Sequence, residues 1–239
     1  MIAMDSEYLY EGDELSLFAG ADLWRQYWLS QVTPFLGNSV LEVGAGVGSV
    51  TRIAATNHSS WVAVEPDAEQ ALSICSWSER HPELGVQVVH GTIADLDTDR
   101  SNFDAVLYAD VLEHIGNDRR ELAEAVHRVR LGGHVIVLVP AHQWLFSPFD
   151  TAVGHYRRYN RKSLSVIAPS EVELVRSRYL DSMGMLASVA NRVMLRQEIP
   201  TERQVAMWNS RLVPISQRVD AAIDYRLGKS LLMVWRRRS

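Results

Sequence analysis

The sequence predicts an α/β protein with a doubly wound sheet of seven strands and helices on both faces. Short apolar runs alternate with helical patterns along most of the 239 residues, and this alternation is typical of parallel strands joined by crossover helices. Glycines follow the first apolar run directly, and an acid ends the second. Both features are typical of the carboxyl edge of open α/β sheets, where ligands bind.

The predicted elements follow in a regular order. A helix over residues 14–36 comes first because its apolar residues recur at helical spacing, and Pro34 and Gly37 are expected to end it. Apolar runs predict strands at 40–43, 61–66, 86–91, 103–110, 132–141, 171–179 and 230–238. Further helices are expected from Val50, after a cap at Asp67, and over 119–129.

One domain over residues 1–239 is expected, because we find no repeat, low-complexity segment or linker. Residues 1–37 are interpreted as an N-terminal helical lid, whose aromatic residues fit either a site wall or a core: Trp24, Tyr27 and Trp28. The connections at 142–170 and 181–228 are long for such a sheet, so we expect them to form the substrate side of a site.

Composition excludes several classes of protein. With 47% hydrophobic and 22% charged residues, the chain is globular rather than disordered. No apolar run is long enough to span a membrane, and the acidic N-terminus lacks the features of a signal peptide. Cys75 is the only cysteine, which excludes an internal disulfide and a cysteine-based zinc site. We expect a cytoplasmic protein and predict no metal site.

Charge is distributed unevenly along the chain. Residues 1–124 hold 21 acidic and 6 basic residues, and the remainder holds 8 and 18. The basic half could face an anionic partner, or the two halves could pack together and compensate. Nucleic acid is not an expected partner, because the isoelectric point is about 5.9 and no RNA-binding module is visible. A peripheral membrane contact, and either a monomer or a homodimer, stay open.

The sharpest local pattern lies at residues 42–48, where Gly44, Gly46 and Gly48 follow a strand and Glu42 precedes them. Such glycines permit a tight turn and close approach to a ligand. In dinucleotide-binding proteins the third glycine falls one residue later. A carboxylate at Glu42 would also repel a pyrophosphate and attract a cation.

Later strand ends carry further candidates for cofactor binding. Glu65 ends the second strand, where an acid can accept ribose hydroxyls. The segment after the third strand is a candidate adenine site, and the end of the fourth strand lies at the switch point of the sheet. The candidates there are Thr92, Ile93, Asp95, Tyr108 and Asp110.

Together these motifs, VLEVGAGVGSVT, WVAVEP, GTIADL, FDAVLYADVLEHI and VRLGGHVIVLVP, resemble the class I S-adenosylmethionine-dependent methyltransferases, within the branch that includes ubiquinone and menaquinone methyltransferases. The resemblance covers residues 38–141. It implies a mostly parallel seven-stranded sheet with an antiparallel last strand, S-adenosylmethionine as cofactor and S-adenosylhomocysteine as product. It further implies that Glu42 lies near the methionine amino group, that the glycines surround the cofactor, and that Asp110 lies beside the methionine or the acceptor.

One departure from the family's pattern concerns the adenine. The family often has an acid directly after the glycine that ends the third strand, and this chain has Thr92 there. Asp95 or backbone groups near Ile93 would take over that contact.

The acceptor side is predicted from histidines and arginines. Methyl transfer to oxygen needs a base, and histidine suits this role near neutral pH. The candidates are His114, His142 and His155, and helix capping is the alternative role for His114. The basic run at 154–162 could bind an anionic acceptor through Tyr156, Arg157, Arg158 and Arg161, or could be a solvated loop.

The resulting prediction is an enzyme that transfers a methyl group to an oxygen, nitrogen or carbon of a small-molecule acceptor, which could be anionic. The alternative is a non-catalytic protein of the same fold that binds S-adenosylmethionine or a partner.

Overall fold

A seven-stranded mixed sheet forms the centre of the protein, in a computed structural model that describes residues 17–97, 103–192 and 200–238. The strand order is β3-β2-β1-β4-β5-β7-β6. β7 is antiparallel to both of its neighbours, and the other strand pairs are parallel. The predicted fold class is confirmed. The strands are β1 (Ser39–Val43), β2 (Ser60–Glu65), β3 (Val86–His90), β4 (Phe103–Ala109), β5 (Val129–Pro140), β6 (Val172–Leu180) and β7 (Ser230–Arg237).

Helices connect the strands and cover both faces. They are α1 (Asp22–Leu36), α2 (Thr51–Ala54), α3 (Ala68–Glu79), α4 (Asp118–Arg128), α5 (Pro148–Ala152), α6 (Arg161–Ile167), α7 (Ser182–Ala190), α8 (Glu202–Met207) and α9 (Val213–Ala222). A π-helical turn at Trp208–Leu212 joins α8 to α9. Asp67 caps α3 as predicted, since its side chain accepts a hydrogen bond from the Gln70 amide.

Two helices differ from their predicted bounds. α1 begins at Asp22 and continues through Pro34 to Leu36, so the proline lies in the last turn and does not end the helix. Gly37, with φ of 67°, then ends the helix. α2 is a single turn because the chain tightens at once into a 3₁₀ turn. Residues 1–16, which include the first part of the predicted N-terminal lid, lie outside the described residues.

Alternate residues of the central strands point to opposite faces and build two cores. On one face, Val106 and Val137 pack in a cluster with residues of α4 such as Leu122. On the other face, Leu107 and Leu138 pack in a cluster with residues of α1. Tyr27 and Trp28 belong to this second core and are each only 2% exposed.

The carboxyl ends of β4, β5 and β6 share a backbone feature. Asp110, His142 and Asp181 follow these strands, and each adopts a left-handed conformation, with φ of 55°, 65° and 65°. Such a conformation costs a residue other than glycine about 1 kcal/mol or more, so the surrounding contacts must hold it. The three side chains are thereby turned out of the strand direction at one edge of the sheet.

The acidic and basic halves of the chain share this sheet, because β5 of the second half pairs with β4 of the first. Three arginines of the second half also pair with acids of the first. Arg130 contacts Asp104, and Arg157 Nη1 lies 2.6 Å from Asp118 Oδ2. Arg128 Nη2 lies 2.9 Å from Glu124 Oε1. Across the described ranges, no helix combines the length and the apolar character that crossing a membrane requires.

A buried polar cluster, which we call the Asp220 cluster, joins α1 to the carboxyl end of β6. Tyr27 Oη donates to Asp220 Oδ2 at 2.7 Å, and the Asp181 and Ser182 amides donate to the same carboxylate at 2.7 and 3.0 Å. Asp181 in turn accepts from Ser216 Oγ and Trp208 Nε1, each at 2.8 Å. Asp220 is completely buried, so its carboxylate depends on these donors.

Replacing Asp220 with alanine should therefore lower the free energy of unfolding by about 3 kcal/mol or more, because it leaves several buried donors without a partner. Tyr27→Phe removes one donor and should cost about 1–2 kcal/mol. Urea unfolding measures both, with Asp224→Asn as control, because that side chain is 84% exposed and asparagine tolerates the positive φ of 54° there. An equal, small effect of the three substitutions would contradict the cluster's role.

Candidate active site

A cavity of about 270 Å³ opens at the carboxyl edge of the sheet. Its wall combines the loop after β1, the end of β4, the N-terminal segment and both long connections. The lining residues are Phe18, Ala21, Trp24, Arg25, Trp28, Glu42, Gly44, Ala45, Gly46, Val47, Ser49, Val50, Ala109, Asp110, Glu113, His114, Pro140, Phe149, Val153, His155, Arg158, Asp181, Trp208, Lys229 and Ser230. Of the three aromatic residues considered for the lid, Trp24 and Trp28 line this cavity, and Tyr27 does not.

The glycine turn forms one side of the cavity. Gly44 and Gly46 both have positive φ, at 69° and 57°. A side chain at Gly44 would collide with Val111, whose nearest atom lies 2.6 Å from the position of a Cβ. The turn is fixed to β2 by hydrogen bonds from the Gly44 and Ala45 amides to the Val64 carbonyl. Gly44 and Gly46 both line the cavity, so the turn presents its backbone to a bound ligand.

Glu42 places a carboxylate in the cavity wall. Its Oε2 accepts hydrogen bonds from Thr51 Oγ1 at 2.6 Å and from Trp61 Nε1 at 2.8 Å, and the residue is 2% exposed. Burial raises the pKa of Glu42 to about 7, although these two hydrogen bonds oppose the shift. A cation bound beside this carboxylate would favour its ionised form.

Glu65 lies behind the glycine turn rather than in the cavity wall. Its Oε2 accepts from the Gly46 amide at 2.7 Å and its Oε1 from the Asp67 amide at 2.9 Å. Burial raises its pKa, and the two hydrogen bonds lower it. A carboxylate has about four acceptor positions, so capacity for ribose hydroxyls is left. The ribose role of Glu65 stays a prediction.

The predicted adenine residues also lie outside the cavity. Asp95 Oδ2 accepts from both the amide and the hydroxyl of Thr92, so these two side chains satisfy each other in a capping box. Ile93 is 2% exposed. Tyr108 faces the α4 core, where its hydroxyl donates to Glu121. Gly48 does not line the cavity either. The roles of these residues toward the cofactor stay predictions.

Two acids and two histidines meet in the cavity wall after β4. Burial raises the pKa of Asp110 to about 6, although the electrostatic interaction with His155 lowers it. Burial and the charge of Asp110 raise the pKa of Glu113 well above its ordinary value. Burial and the neighbouring His155 lower the pKa of His114 to about 4. The rings of His114 and His155 pack edge to face, 4.6 Å apart.

Asp150 supports this group from behind. It is completely buried and contacts His155 Nδ1 at 2.9 Å through Oδ1. Arg158 donates to both of its oxygens, through Nε at 2.7 Å and Nη2 at 2.9 Å. Although burial acts in the opposite direction, hydrogen bonds from His155 and Arg158 hold the pKa of Asp150 well below its usual value. His155 is thus held in a fixed orientation.

Other predicted residues of the acceptor side do not reach the cavity. His142 stacks on Tyr179, with ring centroids 4.8 Å apart. Tyr156 is 64% exposed and does not line the cavity. Arg157 pairs with Asp118 and donates to the Ile115 and Gly116 carbonyls, and Arg161 donates to the Ser177 and Tyr225 carbonyls. Of the predicted substrate-binding residues, only Arg158 is in the cavity wall, where it pairs with Asp150.

Several residues of the wall were not predicted from the sequence. They are Phe18, Arg25, Glu113, Phe149, Asp181, Trp208 and Lys229. The sequence does contain a signal for Lys229, because it is one of two lysines in the chain and directly precedes the last strand. Burial lowers its pKa, and the charge of Asp181 opposes this effect. Glu113 offered one too, because it adjoins His114 at a strand end.

The donor set of this cavity fits a cationic cofactor. Glu42 and Asp110 present carboxylates beside a turn whose glycines expose backbone, and a pyrophosphate would meet Glu42 unfavourably. S-adenosylmethionine carries a sulfonium and an ammonium group and no phosphate. With the antiparallel β7 in a seven-stranded sheet, these features define the architecture of class I S-adenosylmethionine-dependent methyltransferases.

Comparison with known proteins agrees with this class. Residues 41–137 match the family model described as a methyltransferase domain. The chain is 26% identical over 169 residues to a demethylmenaquinone methyltransferase of Clavibacter sepedonicus, an alignment that covers 70% of this chain and 65% of that protein. The chain therefore spans slightly less than two thirds of that relative's length.

Solved structures share the fold. Phosphoethanolamine N-methyltransferase 2 of Haemonchus contortus, in complex with S-adenosyl-L-methionine, superimposes with a TM-score of 0.65 at 14% identity, over 99% of this chain and 61% of that one. A coclaurine N-methyltransferase bound to N-methylheliamine and S-adenosylhomocysteine gives a TM-score of 0.63 at 14% identity, over 99% and 75%. Residues 41–137 carry a methyltransferase domain, these structures share its fold, and the predicted class is confirmed.

The raised pKa of Glu42 predicts a pH dependence of stability. Because the folded-state pKa of about 7 exceeds the ordinary 4.5, the stabilising protonated form is fully present below pH 4.5 and is lost as pH rises through 7. Glu42→Gln should remove this loss and make the protein up to about 3 kcal/mol more stable than the wild type at pH 8. Urea unfolding at pH 5 and pH 8 measures it, with exposed Glu69→Gln as control. The same pH slope in wild type and Glu42→Gln would refute the assignment.

Proposed function

We propose that this protein transfers a methyl group from S-adenosylmethionine to a small-molecule acceptor bound in the cavity. The observation that carries the proposal is the pair of carboxylates, Glu42 and Asp110, in the cavity wall beside the glycine turn. When bound, the cofactor supplies a methyl group activated by the positive sulfonium. The carboxylates favour a cationic ligand over the anionic dinucleotides that other glycine turns bind.

Each element of the cofactor side has a separate role. The Glu42 carboxylate would accept a hydrogen bond from the ammonium group of the cofactor, because Thr51 and Trp61 hold its Oε2 and the side chain cannot turn away. Gly44 and Gly46 would let the backbone approach the ligand. Glu65 fixes the turn through the Gly46 amide and would accept ribose hydroxyls with its remaining lone pairs.

The acceptor binds against the aromatic part of the wall. Phe18, Trp24, Trp28, Phe149 and Trp208 line the cavity, and large aromatic side chains bind flat, apolar groups and exclude water. Methyl transfer is an in-line displacement, so the main contribution of such a wall is to hold the acceptor atom close to the methyl carbon. The names of the similar proteins refer to a quinone and to amines as acceptors. Acceptors of both kinds fit an aromatic surface.

An acidic group on the acceptor would meet Lys229. The predicted arginine readers, Arg157 and Arg161, are occupied by other contacts, whereas Lys229 lies in the cavity wall with its ammonium 5.8 Å from the Trp208 ring centroid. We therefore assign the recognition of an acidic group on the acceptor to Lys229. Arg158 instead holds the cavity wall in place through its hydrogen bonds to Asp150.

Transfer of labelled methyl from S-adenosylmethionine to a panel of quinols, phenols and amines tests the function. Labelled product with any of them, dependent on the protein, supports an enzyme. Binding of S-adenosylhomocysteine without transfer to any acceptor supports the alternative, a non-catalytic protein of the same fold.

Replacing Glu65 with alanine should weaken S-adenosylhomocysteine binding about 10- to 150-fold, the range for losing hydrogen bonds to a charged group, about 1.5–3 kcal/mol. Isothermal titration calorimetry on the folded variant measures the affinity. Glu69→Ala, on the exposed side of α3, should bind as the wild type does. Equal affinity in wild type and Glu65→Ala would remove Glu65 from the cofactor site.

Replacing Lys229 with methionine should abolish a preference for acidic acceptors. We expect the wild type to favour an aromatic acid over its uncharged amide about tenfold in kcat/KM, since one charge-assisted contact contributes about 1.5 kcal/mol. The matched control is Lys162→Met, which changes the other lysine of the chain, an exposed residue of α6. A preference that survives in Lys229→Met would show that acidity is read elsewhere.

A further inference from the structure

Three side chains of the cavity wall converge in a way that methyl transfer by positioning alone does not explain. One ligand atom each from Glu113, His114 and His155 lies within 4.8 Å of the other two. We propose that these three residues form a binding site for a divalent ion of the first transition row. The proposal of ion binding is independent of the proposed methyl transfer, and only the ion's role toward the acceptor rests on it.

Glu113 supplies the strongest argument. It is 0% exposed, and neither carboxylate oxygen has a hydrogen-bond partner among the described residues. His155 Nε2 is 3.9 Å from Oε1, which is too far for a hydrogen bond. A buried carboxylate without a partner costs several kcal/mol unless it is protonated or paired with a cation. Asp110, in the same wall, adds further negative charge.

His155 is oriented as metal-binding histidines are. Its Nδ1 contacts the buried Asp150 carboxylate at 2.9 Å, which leaves Nε2 directed to the side of Glu113. Histidines that bind metals usually donate their other ring N–H to a carboxylate or carbonyl, which fixes both tautomer and direction. Arg158 in turn fixes Asp150 through two hydrogen bonds. The His155 side of such a site therefore has the supporting contacts that fix a metal ligand.

His114 follows Glu113 directly in the 3₁₀ turn after β4, so one short element presents two of the three ligands. The edge-to-face contact with the His155 ring holds the two imidazoles side by side. The third ligand comes from the connection between β5 and β6. Ligands from two separate elements can close around an ion with little backbone movement.

The donor set indicates the kind of ion. Two imidazole nitrogens and one carboxylate suit zinc, iron or manganese, whereas magnesium prefers a site made of oxygens and keeps several waters. All three residues line the cavity, so positions that the protein does not fill would face the acceptor. In catalytic sites such open positions bind water or a substrate oxygen.

This assignment replaces the role of general base that the sequence predicted for His114 and His155. An imidazole nitrogen that coordinates an ion has no lone pair left to accept a proton. An ion would instead make an acceptor hydroxyl more acidic, so that its proton could pass to water in the cavity without a side-chain base.

The experiment measures ion binding to the full chain directly. Protein purified without added metal is analysed for metal content, stripped with a chelator, and titrated with Zn²⁺, Mn²⁺ and Mg²⁺ by calorimetry. We expect one Zn²⁺ or Mn²⁺ per chain, bound at least tenfold more tightly than Mg²⁺. Glu113→Gln, His114→Asn and His155→Asn should each weaken the binding at least tenfold. His127→Asn, which changes an exposed histidine of α4, should leave it unchanged.

Circular dichroism shows which variants are folded, and Glu113→Gln is expected to fold because it removes a buried charge. Absence of transition-metal binding to the wild type, binding of Mg²⁺ alone, or binding that persists in all three cluster variants would each overturn the proposal. Titration of the same samples with S-adenosylhomocysteine reports on the cofactor site separately. Failure of the metal site can therefore be distinguished from failure of the methyltransferase function.

Discussion

A carboxylate removed from water needs donors or a cation around it, and this requirement governs the carboxyl edge of the sheet. Glu42 is held by Thr51 and Trp61, and Glu65 by two backbone amides. Asp150 is held by Arg158 and His155. Each of these acids fixes a different part of the cavity wall. The buried charges thus connect the stability of the fold to the shape of the site.

The Asp220 cluster extends the same principle to the segments that cover the site. Because Tyr27 of α1 and the amides after β6 share one buried carboxylate, the N-terminal helix and the end of β6 keep a fixed relation. Trp24 and Trp28 lie on that helix, and Trp208 is held by Asp181. The aromatic wall of the cavity is therefore positioned by polar contacts behind it.

The strands, the crossover helices and the glycine turn could be predicted from the sequence, because hydrophobic periodicity and local turn chemistry determine them. The placement of Glu42 and Asp110 in one cavity wall could also be predicted, since both lie at the carboxyl ends of neighbouring strands. The acceptor side was less predictable. Arg157 and Arg161 have the chemistry to read an anion, but partners distant in sequence, such as Asp118 and the Tyr225 carbonyl, occupy them. The sequence carries local signals for Lys229 and Glu113, but those signals do not show that tertiary packing brings both side chains to the cavity wall.

The central claim is that the carboxylates of this cavity select an adenosyl ligand with an ammonium group, S-adenosylmethionine or its product, rather than a dinucleotide. Isothermal titration calorimetry of the wild type with S-adenosylhomocysteine and, separately, with NAD tests it most directly, because both ligands carry an adenosine and differ in the group attached to its ribose. We expect binding of S-adenosylhomocysteine at one molecule per chain and no measurable binding of NAD at the same concentration. Binding of NAD as tightly as S-adenosylhomocysteine, or of NAD alone, would contradict the claim.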